Sequence, residues 1–175
     1  MKLHLGCGNR RVGLDGFVNV DIRREVNPDI VADIANLDGQ FPSESAEIIY
    51  WCHGLEHVPR PLVIPTLQKL YALLQPGGVL RLSLPDFRQL VELYVLRGFK
   101  LDAVLGPIMG RQDYPENTHY CIYDVESLFC LLRQVGFTGM RIYDPRSVWP
   151  PEFDDYSLAI MDGQYISLNV EAVKP

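Results

Sequence analysis

A chain of 175 residues that is 47% hydrophobic and 22% charged has the composition of one globular domain with a core, without disordered bias. Its formal net charge of −6 argues against a nonspecific nucleic-acid or anionic-membrane partner. No apolar run approaches the roughly 18 residues of a membrane span, the N-terminus does not read as a signal peptide, and Cys7, Cys52, Cys121 and Cys130 lack a Cys-x-x-Cys pair, which fits a reduced, cytoplasmic compartment.

The chain opens on a short apolar strand, Leu3-His4-Leu5, that runs straight into Gly6-Cys7-Gly8-Asn9. Paired glycines there allow a tight turn and a close ligand approach, because no Cβ is in the way. Phe17 to Ile22 alternates apolar and polar residues and reads as a second strand ending in an acid, Asp21. Arg10, Arg11, Arg23 and Arg24 lie close together between these features and read as a solvated surface loop rather than a basic patch. Ile30-Val31-Ala32 is a third short strand, again ending in an acid, Asp33. Glu47 to Cys52 is a fourth, rich in β-branched and aromatic residues.

Apolar residues from Leu62 to Leu74 recur at helical spacing, with Pro61 and Pro65 confined to the first turn and Pro76-Gly77-Gly78 as the stop. Val79 to Leu84 is a strand, and Pro85-Asp86 opens a second helix to about Arg97. Residues 98–118 read as an irregular insertion over the sheet's edge. Asp124 is the expected N-cap of a helix through Gln134, stopped by Gly136. Strands near 138–143 and 157–173 finish the chain, the last antiparallel or in a hairpin. The expected fold is α/β: a single Rossmann-like domain over 1–175, with a mostly parallel seven-stranded sheet flanked by helices.

Three successive strands end in polar groups, at Gly6-Cys7-Gly8, Asp21 and Asp33, and a fourth ends at Cys52-His53. In a doubly wound sheet such ends line one crevice. The two oxygens of a strand-end carboxylate complement a ribose diol, and Asp33 is placed to accept from an adenine amino group. Asp21 follows Gly8 by 13 residues, short of the roughly 20 of a dinucleotide fingerprint, and the third glycine is missing. A pyrophosphate wants the helix N-terminus that this spacing leaves out. A phosphate-free adenosyl ligand such as S-adenosylmethionine does not.

These residues, with Val18-Asn19-Val20-Asp21, Ala32-Asp33-Ile34, Leu55-Glu56-His57-Val58, Leu74-Gln75-Pro76-Gly77-Gly78 and Gln134-Val135-Gly136-Phe137, resemble a class I S-adenosylmethionine-dependent methyltransferase of the small type 11 group. The resemblance implies that Gly6, Cys7 and Gly8, led in by Leu5, approach the methionyl part of the cofactor. It implies that Asp21 holds the ribose, that Ile22 packs on adenine, that Asp33 and Ile34 border the base, and that Cys52 and His53 form the floor near the sulfonium. The product would be S-adenosylhomocysteine, the acceptor a small molecule or sugar, and no metal is expected. The chain lacks the N-terminal helices that often cover the substrate in this family, and its first crossovers are clipped. A second copy of the chain or a partner protein would then supply the cover.

His119 is the best-placed base, since histidine titrates near neutral pH, and Tyr114, Tyr120 and Tyr123 either line an acceptor pocket with it or pack. His4 reads as a satisfied histidine, and Glu56 and His57 as a local capping arrangement. Two rival readings stand beside methyl transfer. One is a cofactor-binding scaffold without turnover. The other is a zinc hydrolase, because His53-Gly54-Leu55-Glu56-His57 spells H-x-x-E-H, although Gly54 and the Pro59-Arg60-Pro61 that follows oppose the rigid helix that motif needs.

Overall fold

The computed structural model describes residues 1–9 and 13–175, so Arg10 and Arg11 of the expected arginine loop lie outside the described residues. Its centre is a seven-stranded sheet of β1 (Lys2–Leu5), β2 (Phe17–Asp21), β3 (Ile30–Val31), β4 (Ala46–Cys52), β5 (Leu74–Pro85), β6 (Thr138–Ile142) and a late strand, Ser167–Val173. The spatial order is β3-β2-β1-β4-β5, then the late strand, then β6. Five strands are parallel in sequence, and the late strand alone runs against its neighbours β5 and β6. This is the expected Rossmann-like sheet. β1 sits at its middle, with Leu3 opposite Val18 on one side and Ile49 on the other.

The helices follow the apolar spacing. α1 (Val63–Leu73) turns Val63, Thr66, Leu67 and Leu70 inward, after one 3₁₀ turn at Arg60–Leu62 that takes up the first prolines. α2 (Phe87–Leu96) is capped by Asp86, whose side chain accepts from the Arg88 N–H. α4 (Val125–Val135) has a reciprocal capping box between Asp124 and Ser127 and ends at Gly136 with φ 113°, where a side chain would be strained. Between them lies α3 (Asp102–Met109). It corrects the expectation of an irregular 98–118 segment: Gly106 and Pro107 disfavour a helix, but one of eight residues accommodates both.

α1 and α4 cover one face of the sheet, and the fully buried Leu3, Leu5, Leu67, Leu80, Leu82 and Leu132 join in one core. Each such side chain contributes about 1.5–3 kcal/mol through burial. The opposite face is covered differently. Tyr50 of β4 meets Trp149 and Phe153, whose rings stack at 5.2 Å, beside a short helix α5 (Pro145–Val148). Beyond them Leu90, Leu93, Val104 and Ile166 pack together. A single 3₁₀ turn at Arg24–Val26 stands in place of a crossover helix after β2, as the clipped connections imply, and another at Ile34–Asn36 follows β3.

The expected strand over 157–173 is broken. A 3₁₀ turn at Tyr156–Leu158 leads to a hairpin of β7 (Ile160–Met161) and β8 (Gln164–Tyr165), and only then to β9 (Ser167–Val173). Asp162 and Gly163 both have positive φ, the geometry of a two-residue Asp-Gly hairpin turn.

Candidate active site

The carboxyl ends of β1, β4 and β5 open onto a cleft of about 720 Å³. Gly6, Cys7, Gly8, Cys52, His53 and Pro85 form its floor. One wall comes from residues 106–119 beside α3, the other from residues 155–166. Both walls belong to the chain itself.

At the floor, Gly6 and Gly8 have φ of 59° and 49°, which only glycine adopts without strain. A Cβ on Gly6 would stand 3.3 Å from the indole nitrogen of Trp51, a buried N–H with no hydrogen-bond partner. The Cys7 N–H donates to the Val20 carbonyl at 3.1 Å, and the Gly8 N–H donates to Asp21 Oδ2 at 2.9 Å. Asp21 Oδ1 accepts from the Arg23 N–H at 2.9 Å and from Arg23 Nε at 3.3 Å. Arg23 in turn lies over the Tyr114 ring, 5.2 Å from its centroid.

This arrangement sharpens the expected ribose contact. Asp21 is 3% exposed. Two donors fill the acceptor sites of Oδ1, whereas Oδ2 keeps one. One further donor is accommodated at Oδ2 as the residues stand, and a second requires Arg23 to give way. Ile22, next in sequence, leaves its apolar side chain 46% exposed.

The remaining cofactor positions divide. Leu5 sends its side chain into the core rather than the cleft. Ile34 is partly buried, close to the Gly6 turn. Asp33 is exposed, and its Oδ1 accepts from the Ala35 N–H at 2.9 Å, which caps the following turn. None of Asp21, Ile22, Asp33 or Ile34 lines the cleft; they continue it along the sheet edge past Gly8.

Cys52 is held as a thiol, because burial pushes its pKa well up, with Asp155 adding to the effect. His53 is left-handed, with φ 47°. Its Nε2 lies 2.9 Å from Ser167 Oγ, and since that hydroxyl donates to the Tyr156 carbonyl at 2.7 Å, it accepts from His53. His53 Nδ1 then carries the lone pair, 3.4 Å from Glu56 Oε1. Burial drives His53 down to about 3 and Glu56 up to about 8. Glu56 is 1% exposed and its carboxylate makes no well-formed hydrogen bond, so it is not the cap expected of it.

The five residues from His53 to His57 do not form a helix. A left-handed residue, Gly54 and a 3₁₀ turn at Leu55–His57 separate the two histidines, which removes the helix that the zinc-hydrolase reading requires. His57 Nδ1 donates to the Thr118 carbonyl at 3.1 Å, and its ring meets His119 edge-on at 4.6 Å. His119 Nδ1 donates to the Pro107 carbonyl at 2.9 Å. Burial lowers both histidines, His57 to about 4.

Of the aromatic residues grouped with His119, Tyr114 joins the cleft, Tyr120 is 57% exposed outside it and Tyr123 is buried in the core. His4 is buried, its Nδ1 3.1 Å from Asn19 Oδ1 and its ring stacked on Tyr50. Sequence reasoning missed Arg23, Trp51 and Ser167. Arg23 carried a cue, two residues beyond a strand-end acid, but Ser167 lies 114 positions from His53 and carried none.

A glycine turn at the end of the first of seven strands, joined to an acid ending the second, under this strand order, defines a class I S-adenosylmethionine-dependent methyltransferase. The chain belongs to the family described as "Methyltransferase domain", whose model matches residues 4–141. Solved structures share the fold. A SAM-dependent methyltransferase from Archaeoglobus fulgidus is 14% identical, with 99% of this chain and 85% of that one covered at a TM-score of 0.63. One from Thermotoga maritima is 17% identical, with coverages of 99% and 82% and a TM-score of 0.61. The 1,6-didemethyltoxoflavin-N1-methyltransferase of Burkholderia thailandensis, solved with its substrate and S-adenosylhomocysteine, is 15% identical, with coverages of 99% and 70% and a TM-score of 0.58. No curated protein sequence matches the chain closely enough to extend the assignment. No helix among the described residues is long and apolar enough to cross a membrane.

Proposed function

We propose that this enzyme transfers a methyl group from S-adenosylmethionine to a small-molecule or sugar-like acceptor held between the two walls of the cleft. The observation that carries the reading is the Gly8–Asp21 hydrogen bond, which fixes a Cβ-free turn against a strand-end carboxylate where the cleft begins. The residues present fit the cofactor: positive-φ glycines permit close approach, Trp51 Nε1 is an unused donor beneath the turn, and Ile22 is an exposed apolar surface beside Asp21.

S-adenosylmethionine supplies an electrophilic methyl group on a sulfonium. Gly6, Cys7 and Gly8 would take its methionyl part, Asp21 its ribose and Ile22 with Ile34 its base, with Cys52 and His53 near the sulfonium. Because the thiol of Cys52 is held protonated, it does not compete as a nucleophile. Arg23, stacked on Tyr114 beside the Gly8 turn, would shield the bound cofactor. His119 lines the cleft and, with Nδ1 donating to the Pro107 carbonyl, keeps the Nε2 lone pair to take a proton from the acceptor. The cleft's volume lies within the range of small-molecule sites. Alignment of the acceptor at about 3–3.5 Å supplies much of the rate enhancement.

Calorimetry with S-adenosylhomocysteine tests the cofactor assignment, and saturable one-to-one binding is expected. No binding overturns the reading. Mass spectrometry of small-molecule acceptor panels then tests turnover. Binding without transfer to any panel member favours the scaffold reading instead.

A further inference from the structure

We propose that Glu56, His57 and His119 form a site for one divalent first-row transition cation of the zinc class, on the acceptor side of the cleft. Each of the three offers a ligand atom within 4.8 Å of the other two. The set comes from two segments that the backbone holds together. The N–H groups of Tyr120 and Cys121 both donate to the Glu56 carbonyl, at 2.8 and 3.2 Å, and the His119 N–H donates to the Met109 carbonyl. The ligands therefore converge across 63 positions of sequence without relying on a flexible loop tip.

Both imidazoles are held in the tautomer a ligand needs. A carbonyl oxygen can only accept, so the Thr118 and Pro107 carbonyls fix a proton on Nδ1 of His57 and of His119. In each neutral ring the lone pair is then on Nε2. A second ring nitrogen donating to a backbone carbonyl is the usual way a protein orients a metal-binding histidine.

The third ligand is the independent observation. Glu56 is 1% exposed, and neither oxygen makes a well-formed hydrogen bond. What faces Oε1 is the lone pair of His53 Nδ1, at 3.4 Å. Two electron-rich atoms at that distance need a proton or a cation between them, and a buried carboxyl with no cation at hand holds a proton. A bound cation displaces that proton and meets the same need. Bond lengths of about 2.0–2.2 Å place neighbouring ligand atoms about 3–3.5 Å apart, so small side-chain rotations complete the site.

Two imidazoles and one carboxylate suit zinc-class ions better than magnesium or calcium, which favour oxygen ligands. Three protein ligands leave coordination positions open, and His57 and His119 line the cleft, so these positions face an acceptor. Resting on the methyl-transfer reading, an acceptor hydroxyl bound there is held in place and made more acidic. His119 then serves as a ligand in place of the general base expected of it.

Titration of the full metal-free chain with Zn²⁺ and with Co²⁺, followed by calorimetry and visible spectroscopy, tests the site. One cation per chain is expected, with a Co²⁺ spectrum lacking an intense near-ultraviolet thiolate band. Glu56→Gln and His119→Ala should each weaken binding at least about tenfold, and both should still bind S-adenosylhomocysteine. Circular dichroism checks their folding, and His57→Ala replaces a variant that fails it. No stoichiometric uptake, a thiolate spectrum, or unchanged affinity in all folded variants overturns the proposal. Because S-adenosylhomocysteine binding is measured on the same samples, loss of the cation and loss of the cofactor are read separately.

Discussion

The backbone N–H of Gly8 donates to Asp21 Oδ2 at 2.9 Å, so the turn after β1 and the acid ending β2 act as one unit. Asp21 shapes the loop that receives the cofactor as well as offering it an acceptor. Asp21→Ala should therefore raise the dissociation constant for S-adenosylhomocysteine tenfold or more and lower stability by about 1–3 kcal/mol through the orphaned donors. Calorimetry and urea unfolding measure the two effects. Wild-type affinity in this variant would remove Asp21 from the site.

Arg23 and Tyr114 cover that unit. Tyr114→Ala should speed S-adenosylhomocysteine release several-fold in stopped-flow measurements. Tyr114→Phe keeps the ring beneath the guanidinium and should stay near the wild-type rate. Equal release rates in all three proteins would mean that the contact is not a cover.

Gly54 is required by Trp51. A Cβ there would lie 1.8 Å from the indole nitrogen, so Gly54→Ala must displace a buried ring, at a cost of about 1–3 kcal/mol or more. Gly106 is the control, since nothing lies within 4 Å of its Cβ position and it sits inside α3. Gly106→Ala should be neutral or stabilising by up to about 1 kcal/mol. Unfolding midpoints that move equally would refute the packing argument.

Tyr50 and Tyr143 give the protein an alkaline limit. Burial is the main cause that raises both phenols well above their ordinary value, and Tyr50 donates to Asp155 within the core. With folded pKa values above the unfolded value near 10, their stabilising effect is fully present below pH 10. It is lost as pH rises from there through the folded values. Each phenol still protonated when folded but ionised when unfolded adds a slope of about −1.4 kcal/mol per pH unit. Urea unfolding between pH 9 and 11 should show this decline, and Tyr143→Phe should reduce it. A pH-independent stability over that range would contradict it.

Much of the scaffold was legible because it rests on local chemistry. Asp86, Asp124 and Gly136 mark helix ends through hydrogen bonds spanning a few residues, and the structure places each where its residue type predicts. α3 was hidden because Gly106 and Pro107 are breakers on average, and Val104 packing against α2 overrides that average. The break in the final strand has a sequence cue, Asp162-Gly163, and its turn forms the hairpin expected as the alternative to one antiparallel strand. His53 to His57 was legible as a motif and misleading as a zinc protease, since its backbone is not helical.

The sequence by itself determined the sheet, the glycine turn and the strand-end acid Asp21, because alternation, turn chemistry and short-range spacing are written along the chain. Only the tertiary structure decided that Arg23 shares the Asp21 carboxylate, that residues 106–119 and 155–166 wall the cleft, and that Glu56 is buried beside His53, His57 and His119. The last of these joins Glu56 to His119 across 63 positions, and burial at each of them is set by every element that packs around it.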